Sequence, residues 1–401
     1  MTRPQRLTAG LVVALGFLAA VGPFSTDMYL ASFTEIGDAL QTDASAVQLT
    51  LTTFLIGIAA GQLLFGPLSD RVGRRPVLVV ALIGFAVSSI ALVFVPSIEL
   101  FVVLRFLQGF AGAAGIVLAR AIAVDLSEGE TAVKALSMIA MVVGVAPLVA
   151  PVVGGFVTEL VGWRGVLGLI AIIASAMAVV SLTLIPESLP AELRHTGGIG
   201  ETFRRFGELV RDRGFVLFTL AYASTFGAIM AYVSASPFVG QVVLGMSPVM
   251  YSVGFGIGAS AILLSNLINA RLAVRFGPRT MLVVGIIGAG SAAAALLAQT
   301  LLGILTPVGF IVSAFFLTSG LGFTMPNSTA LGLARADRAR GAGAALMGST
   351  QFLVGGLISP LVGIAGEDHA EPMAIVIAVA LALGSIAAIA ALRVTRRGRR
   401  S

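Results

Sequence analysis

Long apolar runs separated by short polar turns recur from one end of the chain to the other. Six lie near 7 to 32, 46 to 68, 76 to 95, 98 to 121, 135 to 158 and 165 to 185. Six more lie near 214 to 238, 249 to 270, 280 to 299, 304 to 330, 342 to 365 and 373 to 392. A helix needs about 20 apolar residues to cross the hydrocarbon core of a bilayer. The pattern therefore predicts an all-α membrane protein of twelve transmembrane helices in two six-helix halves. The one long polar stretch, 186 to 213, falls between the sets. It sets the expected organisation: an N-terminal half at 1–188, a cytoplasmic linker at 189–213, a C-terminal half at 214–392 and a basic tail at 393–401.

Composition sharpens this reading. Of 401 residues, 57% are hydrophobic and 11% charged, against roughly 25% charged in a soluble domain, which excludes an ordinary soluble protein. The first run is too long for a signal-peptide core and reads as a retained span. With no Cys, and with His195 and His369 in loops lacking further ligands at metal spacing, neither a disulfide scaffold nor a metal site is expected. Glycine strings such as 254 to 258 lie inside an apolar helix and read as packing, not phosphate binding.

The basic residues decide orientation. Cytoplasmic loops retain Lys and Arg, and with the N-terminus inside, 23 of the 25 basic residues fall in cytoplasmic loops, among them Arg3, Arg6 and the run from Arg393 to Arg400. The exceptions are Arg164 in an outer loop and Arg105 within span four. Both termini are expected to be cytoplasmic. Although the pI is about 10.6, this dispersal of charge argues against a nucleic-acid surface and for contact with lipid headgroups.

The two sets also look like diverged copies. Arg71-Val-Gly-Arg-Arg75 aligns with Arg275-Phe-Gly-Pro-Arg279 at an offset of 204, and Pro151-Val-Val-Gly154 with Pro360-Leu-Val-Gly363 at 209. Two repeats about a central cavity is the architecture that such a pattern implies.

The loop after span two reads Gly66-Pro-Leu-Ser-Asp70-Arg71-Val-Gly73-Arg74-Arg75. It resembles the loop motif of the major facilitator superfamily. Membrane anchoring alone would account for Arg71, Arg74 and Arg75. It does not account for Asp70 with Gly66 and Gly73, glycines expected to allow a sharp turn and close helix approach, so a cytoplasmic charge latch is favoured. The resemblance implies that Asp70 faces the start of span eleven and that Arg74 reaches Asp125 at the end of span four. Val274 stands where the second copy would carry Asp70, so that copy of the latch is expected to be lost.

Span four carries Arg105, Gln108, Gly109 and Gly112 on one helical face. This also resembles a superfamily motif. An Arg inside a span costs about 2.5–3.5 kcal/mol on insertion scales and seeks a partner or a polar cavity, snorkelling to an interface being the alternative. In span five, Gly144, Pro147, Pro151, Gly154 and Gly155 look like the motif of drug:proton antiporters within the superfamily. Pro bends such a helix and Gly permits tight contact, although both are common in membrane helices generally.

Asp27 is the one acid falling within span one, which makes it the proton-site candidate, with Arg105 tuning it. A carboxyl whose surroundings change with conformation changes its protonation. Its place some twenty residues into the run also allows an outer-interface role. The segment Phe24 to Leu30, Pro237, and Met325-Pro326-Asn327 make the chain resemble the bicyclomycin and chloramphenicol resistance (Bcr/CflA-type) drug:proton antiporters. It departs from them at Ala31-Ser-Phe-Thr34, where relatives tend to carry Pro.

The expected substrate cavity draws on Phe17, Phe24, Tyr29, Phe54, Gln108, Tyr222, Phe226, Tyr232 and Asn327, an aromatic set suited to lipophilic compounds. The resemblance implies a multidrug efflux transporter of the bacterial inner membrane, not an enzyme, driven by the proton gradient without a cofactor and working as a monomer. A same-fold exporter of a sugar, amino acid or nucleoside is the nearer alternative. A membrane sensor or intramembrane enzyme is the remoter one, lacking an output domain or a cluster of catalytic residues.

Overall fold

The computed structural model describes residues 7–194, 199–336, 340–363, 366 and 368–397; Arg3, Arg6, His195, Arg399 and Arg400 lie outside them. The described chain is helical throughout, in the order α1 (Ala9–Ala19), α2 (Val21–Thr26), α3 (Phe33–Leu40), α4 (Ala44–Val72), α5 (Arg74–Val93), α6 (Ile98–Asp125), α7 (Gly129–Thr183), α8 (Ile199–Arg211), α9 (Arg213–Phe238), α10 (Pro248–Phe276), α11 (Pro278–Leu301), α12 (Pro307–Leu333), α13 (Arg340–Ile358) and α14 (Glu371–Arg397). Ten of these elements are long and apolar enough to cross a membrane, or eleven if the bent segment Ala9–Leu40 is one span. The polar stretch between the two sets contains α8.

Two departures from uniform spans are informative. The first expected span is broken: α1 and α2 end at Asp27, and a single 3-10 turn at Leu30–Ser32 leads into α3, with a 42° bend in the whole. The expected spans at 135 to 158 and 165 to 185 lie within one element, α7, whose 55 residues are interrupted by Gly162 at φ 73° and ψ −179°. Only glycine adopts that backbone readily, so the kink in α7 is written into one residue.

The chain divides into two compact units. The first comprises Met1–Ser32 and Thr53–Gly200, the second Phe33–Thr52 and Glu201–Ser401. In the first, α5 lies against α6 and α7, and α1 against both α6 and α7. Small residues set the spacing there. A Cβ at Gly109 would lie 2.0 Å from the Phe54 carbonyl oxygen, and one at Gly57 2.3 Å from that of Phe106, so α4 and α6 touch backbone to backbone, as small-residue membrane interfaces do. In the second unit α9 is the hub for α12, α13 and α14, and α12 packs on α10 and α11.

The repeat read from the sequence has a structural counterpart. Gly73 precedes α5 with φ 114°, and Gly277, 204 positions later, precedes α11 with φ 79°. Each lets a long helix end and the next begin with one residue between them.

Candidate functional site

In the first unit, the break in span one places Asp27 at the end of α2. Its N–H donates to the Pro23 carbonyl at 2.9 Å, and its Oδ1 accepts from Thr26 Oγ1 at 2.8 Å. The residue is 8% exposed, and the neighbouring Ser25 Oγ is buried without a partner among the described residues. A carboxyl in such a place is costly unless protonated or paired. The neighbouring wall comes from α7. A Cβ on Gly154 would fall 1.7 Å from the carbonyl oxygen of Met28, so that glycine exists to let the broken span lie on the helix. One turn on, Thr158 Oγ1 shares a 2.7 Å hydrogen bond with Ser32 Oγ. Of the antiporter-type residues, Pro151, Gly154 and Gly155 are buried, while Gly144 and Pro147 are half-buried.

Arg105 is fully buried in α6. Its guanidinium lies 4.4 Å from the Tyr29 ring centre and 4.2 Å from that of Phe54. Nη1 donates to Gln108 Oε1 at 2.6 Å, and Gln108 Nε2 donates to Ser89 Oγ at 2.7 Å. Ring faces and an amide thus do for the charge what water would do outside the membrane. Snorkelling is thereby excluded. Tyr29, Phe54 and Gln108, expected in the cavity, expose 0% of their surface here and are packed around Arg105.

The remaining aromatics are dispersed. Phe17 and Phe24 meet edge to face at 6.3 Å, both half-buried, in the first unit. In the second, Tyr232 is stacked on Phe255 at 5.6 Å and lies 5.8 Å from Phe310, and Phe226 meets Phe352 at 5.1 Å. Tyr222 packs against a buried cluster of Leu209, Phe215, Ala336 and Met347. Asn327 Nδ2 donates to Asn269 Oδ1 at 2.7 Å and also to the Phe323 carbonyl. Sequence reasoning missed Asn269 and Ser89; the only signal was a lone amide and a serine pair inside otherwise apolar spans.

At the ends of α4, α5 and α6 the charged loop closes on itself. Arg74 Nε donates to Asp125 Oδ2 at 2.9 Å, and Nη1 to Ser69 Oγ at 2.7 Å and to Asp70. The Arg74 N–H donates to Glu187 Oε1 at 2.9 Å, and Ser188 Oγ to Asp125 at 2.9 Å. Arg75 reaches the Leu182 carbonyl at 2.7 Å, whereas Arg71 is exposed. Gly73 is hemmed in as well as strained: a Cβ there would lie 2.5 Å from Glu187 Oε2. Gly66 differs from expectation. It sits inside α4, and an added Cβ would meet nothing nearer than Val117 at 3.9 Å, so it provides neither a turn nor a close approach.

Val274 is 89% exposed, and the second unit carries a different ion pair. Asp212 caps α9, accepting from the Phe215 N–H at 2.7 Å, and takes two hydrogen bonds from Arg335, at 3.2 and 2.6 Å. Partial burial pushes the Asp212 carboxyl up, but the hydrogen bonds from Arg335 and the Phe215 N–H outweigh it and hold the group below its ordinary value. Arg164 lies 4.0 Å over the Trp163 ring and donates to the Val95 carbonyl.

The family model for the Major Facilitator Superfamily matches residues 15–360. The chain belongs to the Major Facilitator Superfamily. It is 37% identical over 389 residues to an uncharacterized MFS-type transporter, YdgK, of Bacillus subtilis, covering 96% of both chains. It is 31% identical to a bicyclomycin resistance protein homolog of Haemophilus influenzae, over 92% of each. It is 32% identical to a chloramphenicol resistance protein of Pseudomonas aeruginosa, over 89% of this chain and 82% of that one. These last two carry the names of the group that the motifs resemble. Among solved structures, a D-xylose-proton symporter superposes with a TM-score of 0.74 at 18% identity, over 96% and 97% of the two chains, which shows the fold. The protein is thus a multi-pass transporter of this superfamily, and its relatives are transporters, not enzymes.

Proposed function

We propose that this superfamily member exports small lipophilic drugs, of the chloramphenicol or bicyclomycin kind, in exchange for protons. The observation that carries the reading is the buried Asp27 carboxyl at the break of span one, with Gly154 of α7 pressed against the next residue. A carboxyl on a broken span is placed so that any rearrangement of the break changes its surroundings and with them its protonation. In the exchange, Asp27 takes up a proton from outside, drug binding and protonation exclude one another, and the proton is released inside. Arg105 sets the local field. One proton moving through 100 mV supplies about 2.3 kcal/mol, enough for a gradient of about fifty-fold in a neutral solute. No cofactor is needed.

The same reading takes α7 as two spans hinged at Gly162 and the bent segment Ala9–Leu40 as one, giving twelve. It puts both termini in the cytoplasm, where the basic residues contact anionic headgroups. The protein works as a monomer in the bacterial inner membrane.

The test is proton release from energised inside-out vesicles on adding amphenicols, bicyclomycin or lipophilic cations, for the native chain and Asp27→Asn. Collapse of the pH gradient by a compound with the native chain alone is the expected result. Equal responses of the two would remove Asp27 from the exchange. No response to any compound would move a metabolite carrier ahead.

A further inference from the structure

We infer that Ser89 is a positioning residue for Arg105: by accepting from the far end of the Gln108 amide it anchors that amide with Oε1 on the guanidinium. The inference rests on the exchange proposed above, in which Arg105 sets the field. Ser89 lies on α5, 1% exposed, and has one hydroxyl hydrogen. It donates that hydrogen to the Phe85 carbonyl of its own helix at 2.6 Å. Toward Gln108 it can therefore only accept, and it takes the Nε2 hydrogen at 2.7 Å. With Nε2 so committed, Oε1 points the other way, to Arg105 Nη1 at 2.6 Å.

The sequence of donors runs in one direction, from guanidinium to amide to hydroxyl to backbone carbonyl. Its sense matters because the two ends of an amide have nearly the same shape and opposite hydrogen-bonding character. A guanidinium has donors only. Were the amide turned over, N–H would face N–H beside a buried charge. Packing cannot tell the two orientations apart, since both fill the same space. The donor-only guanidinium at one end and the hydroxyl acceptor of Ser89 at the other can, and the second comes from a different helix. Ser89 thus helps hold Arg105 between the rings of Tyr29 and Phe54 without touching it.

The adjacent Ser88 is a matched control. It has the same side chain on the same helix, but its hydroxyl goes to the carbonyls of Gly84 and Phe85 at 2.8 and 3.0 Å, with no part in the relay.

The experiment compares Ser89→Ala, Ser89→Thr, Ser88→Ala and Gln108→Glu with and without Ser89→Ala, using chloramphenicol-driven proton movement in proteoliposomes. Leaving the buried Gln108 N–H without its acceptor should lower kcat roughly tenfold to a hundredfold, with KM little changed. Ser89→Thr, which keeps the hydroxyl, should restore it, and Ser88→Ala should behave as native. A carboxylate presents oxygen either way round, so Ser89→Ala should cost nothing further in the Gln108→Glu chain. Equal effects of Ser89→Ala and Ser88→Ala, or an equal penalty in both backgrounds, would overturn the proposal.

A native chain that moves no protons with chloramphenicol would count against the proposed function, and the positioning is then decided optically. Trp163 is the only tryptophan. It stacks on Phe101 at 6.3 Å, and Phe101 lies 6.5 Å from Tyr29, the ring beneath Arg105. Its emission should shift in Ser89→Ala and not in Ser88→Ala; identical spectra would overturn the inference whatever the chain transports.

Discussion

Replacing Gly154 by Ala adds one methyl group where the structure has least room for it. The new Cβ would lie 1.7 Å from Met28 O, 2.6 Å from Met28 C and 3.0 Å from Met28 Cα. All three are backbone atoms, so no rotamer change relieves the clash. Carbon–oxygen contacts between packed elements settle near 3.3 Å, so α7 and the break in span one must separate by about 1.6 Å. Overpacking of this kind costs about 1–3 kcal/mol and occasionally more; with backbone on one side of the clash, about 3 kcal/mol is expected. At roughly 2 °C per kcal/mol for a large domain, the apparent melting temperature of the purified protein should fall by about 6 °C. Gly168, on the same helical element, has nothing within 4 Å of an added Cβ. There Ala should stabilise by about 0.5–1 kcal/mol, because glycine is the poorer helix former. The assay is a thermal unfolding scan of both variants beside the native chain, with drug-driven proton movement measured in parallel. Because Met28 follows Asp27, Gly154→Ala should also depress transport more than Gly168→Ala does. If the two variants melt alike, the tight seating of span one on α7 is wrong.

Other expectations are simpler. Gly73→Ala must hold φ 114° and ψ 153°, at a cost of about 1–3 kcal/mol, and also meets Glu187; Gly277→Ala, in open space, should lose less, and an equal loss in thermal scans would show that the Glu187 contact counts for nothing. Arg335→Ala should cost only about 0.2–1 kcal/mol, as exposed pairs do. Because the Asp212 carboxyl is held below its ordinary value, that contribution is complete above the usual range near pH 4 and fades as pH falls through the lowered value. The stability gap between native and variant should therefore be flat from about pH 5 to 8 and close on further acidification; a gap that widens in acid would contradict the pairing. Asn269→Ala should cost about 0.6 kcal/mol, the typical worth of a hydrogen bond between membrane helices. Measured by thermal unfolding, a loss no larger than that of an exposed alanine substitution would mean that Asn327 does not depend on it.

Much of the architecture is legible in the chain because burial in lipid demands it. Every run long enough to span is helical where described, since backbone groups without water must bond within their own segment. The Arg-Val-Gly-Arg-Arg pattern and its second copy foretold two like turns, because a positive φ at Gly73 and Gly277 is a property of one residue. Asp125 as the partner of Arg74 was legible only through the family motif, and the Asp212–Arg335 pair not at all. Those two residues are 123 positions apart, and charge at a loop end says nothing about which other loop it meets.

Residue type and spacing by themselves determined that this is a helical membrane protein with a repeated plan, an acid in span one and an Arg in span four, because transfer energies and turn geometry are local quantities. The tertiary structure alone decided that span one breaks at Asp27, that Gly154 exists for Met28, that Gly162 kinks α7, and that Tyr29, Phe54 and Gln108 surround Arg105. Those outcomes depend on which side chain fills which space on another helix. The free energy of a buried charge is set by its neighbours in space, and their identity is fixed only when the helices pack.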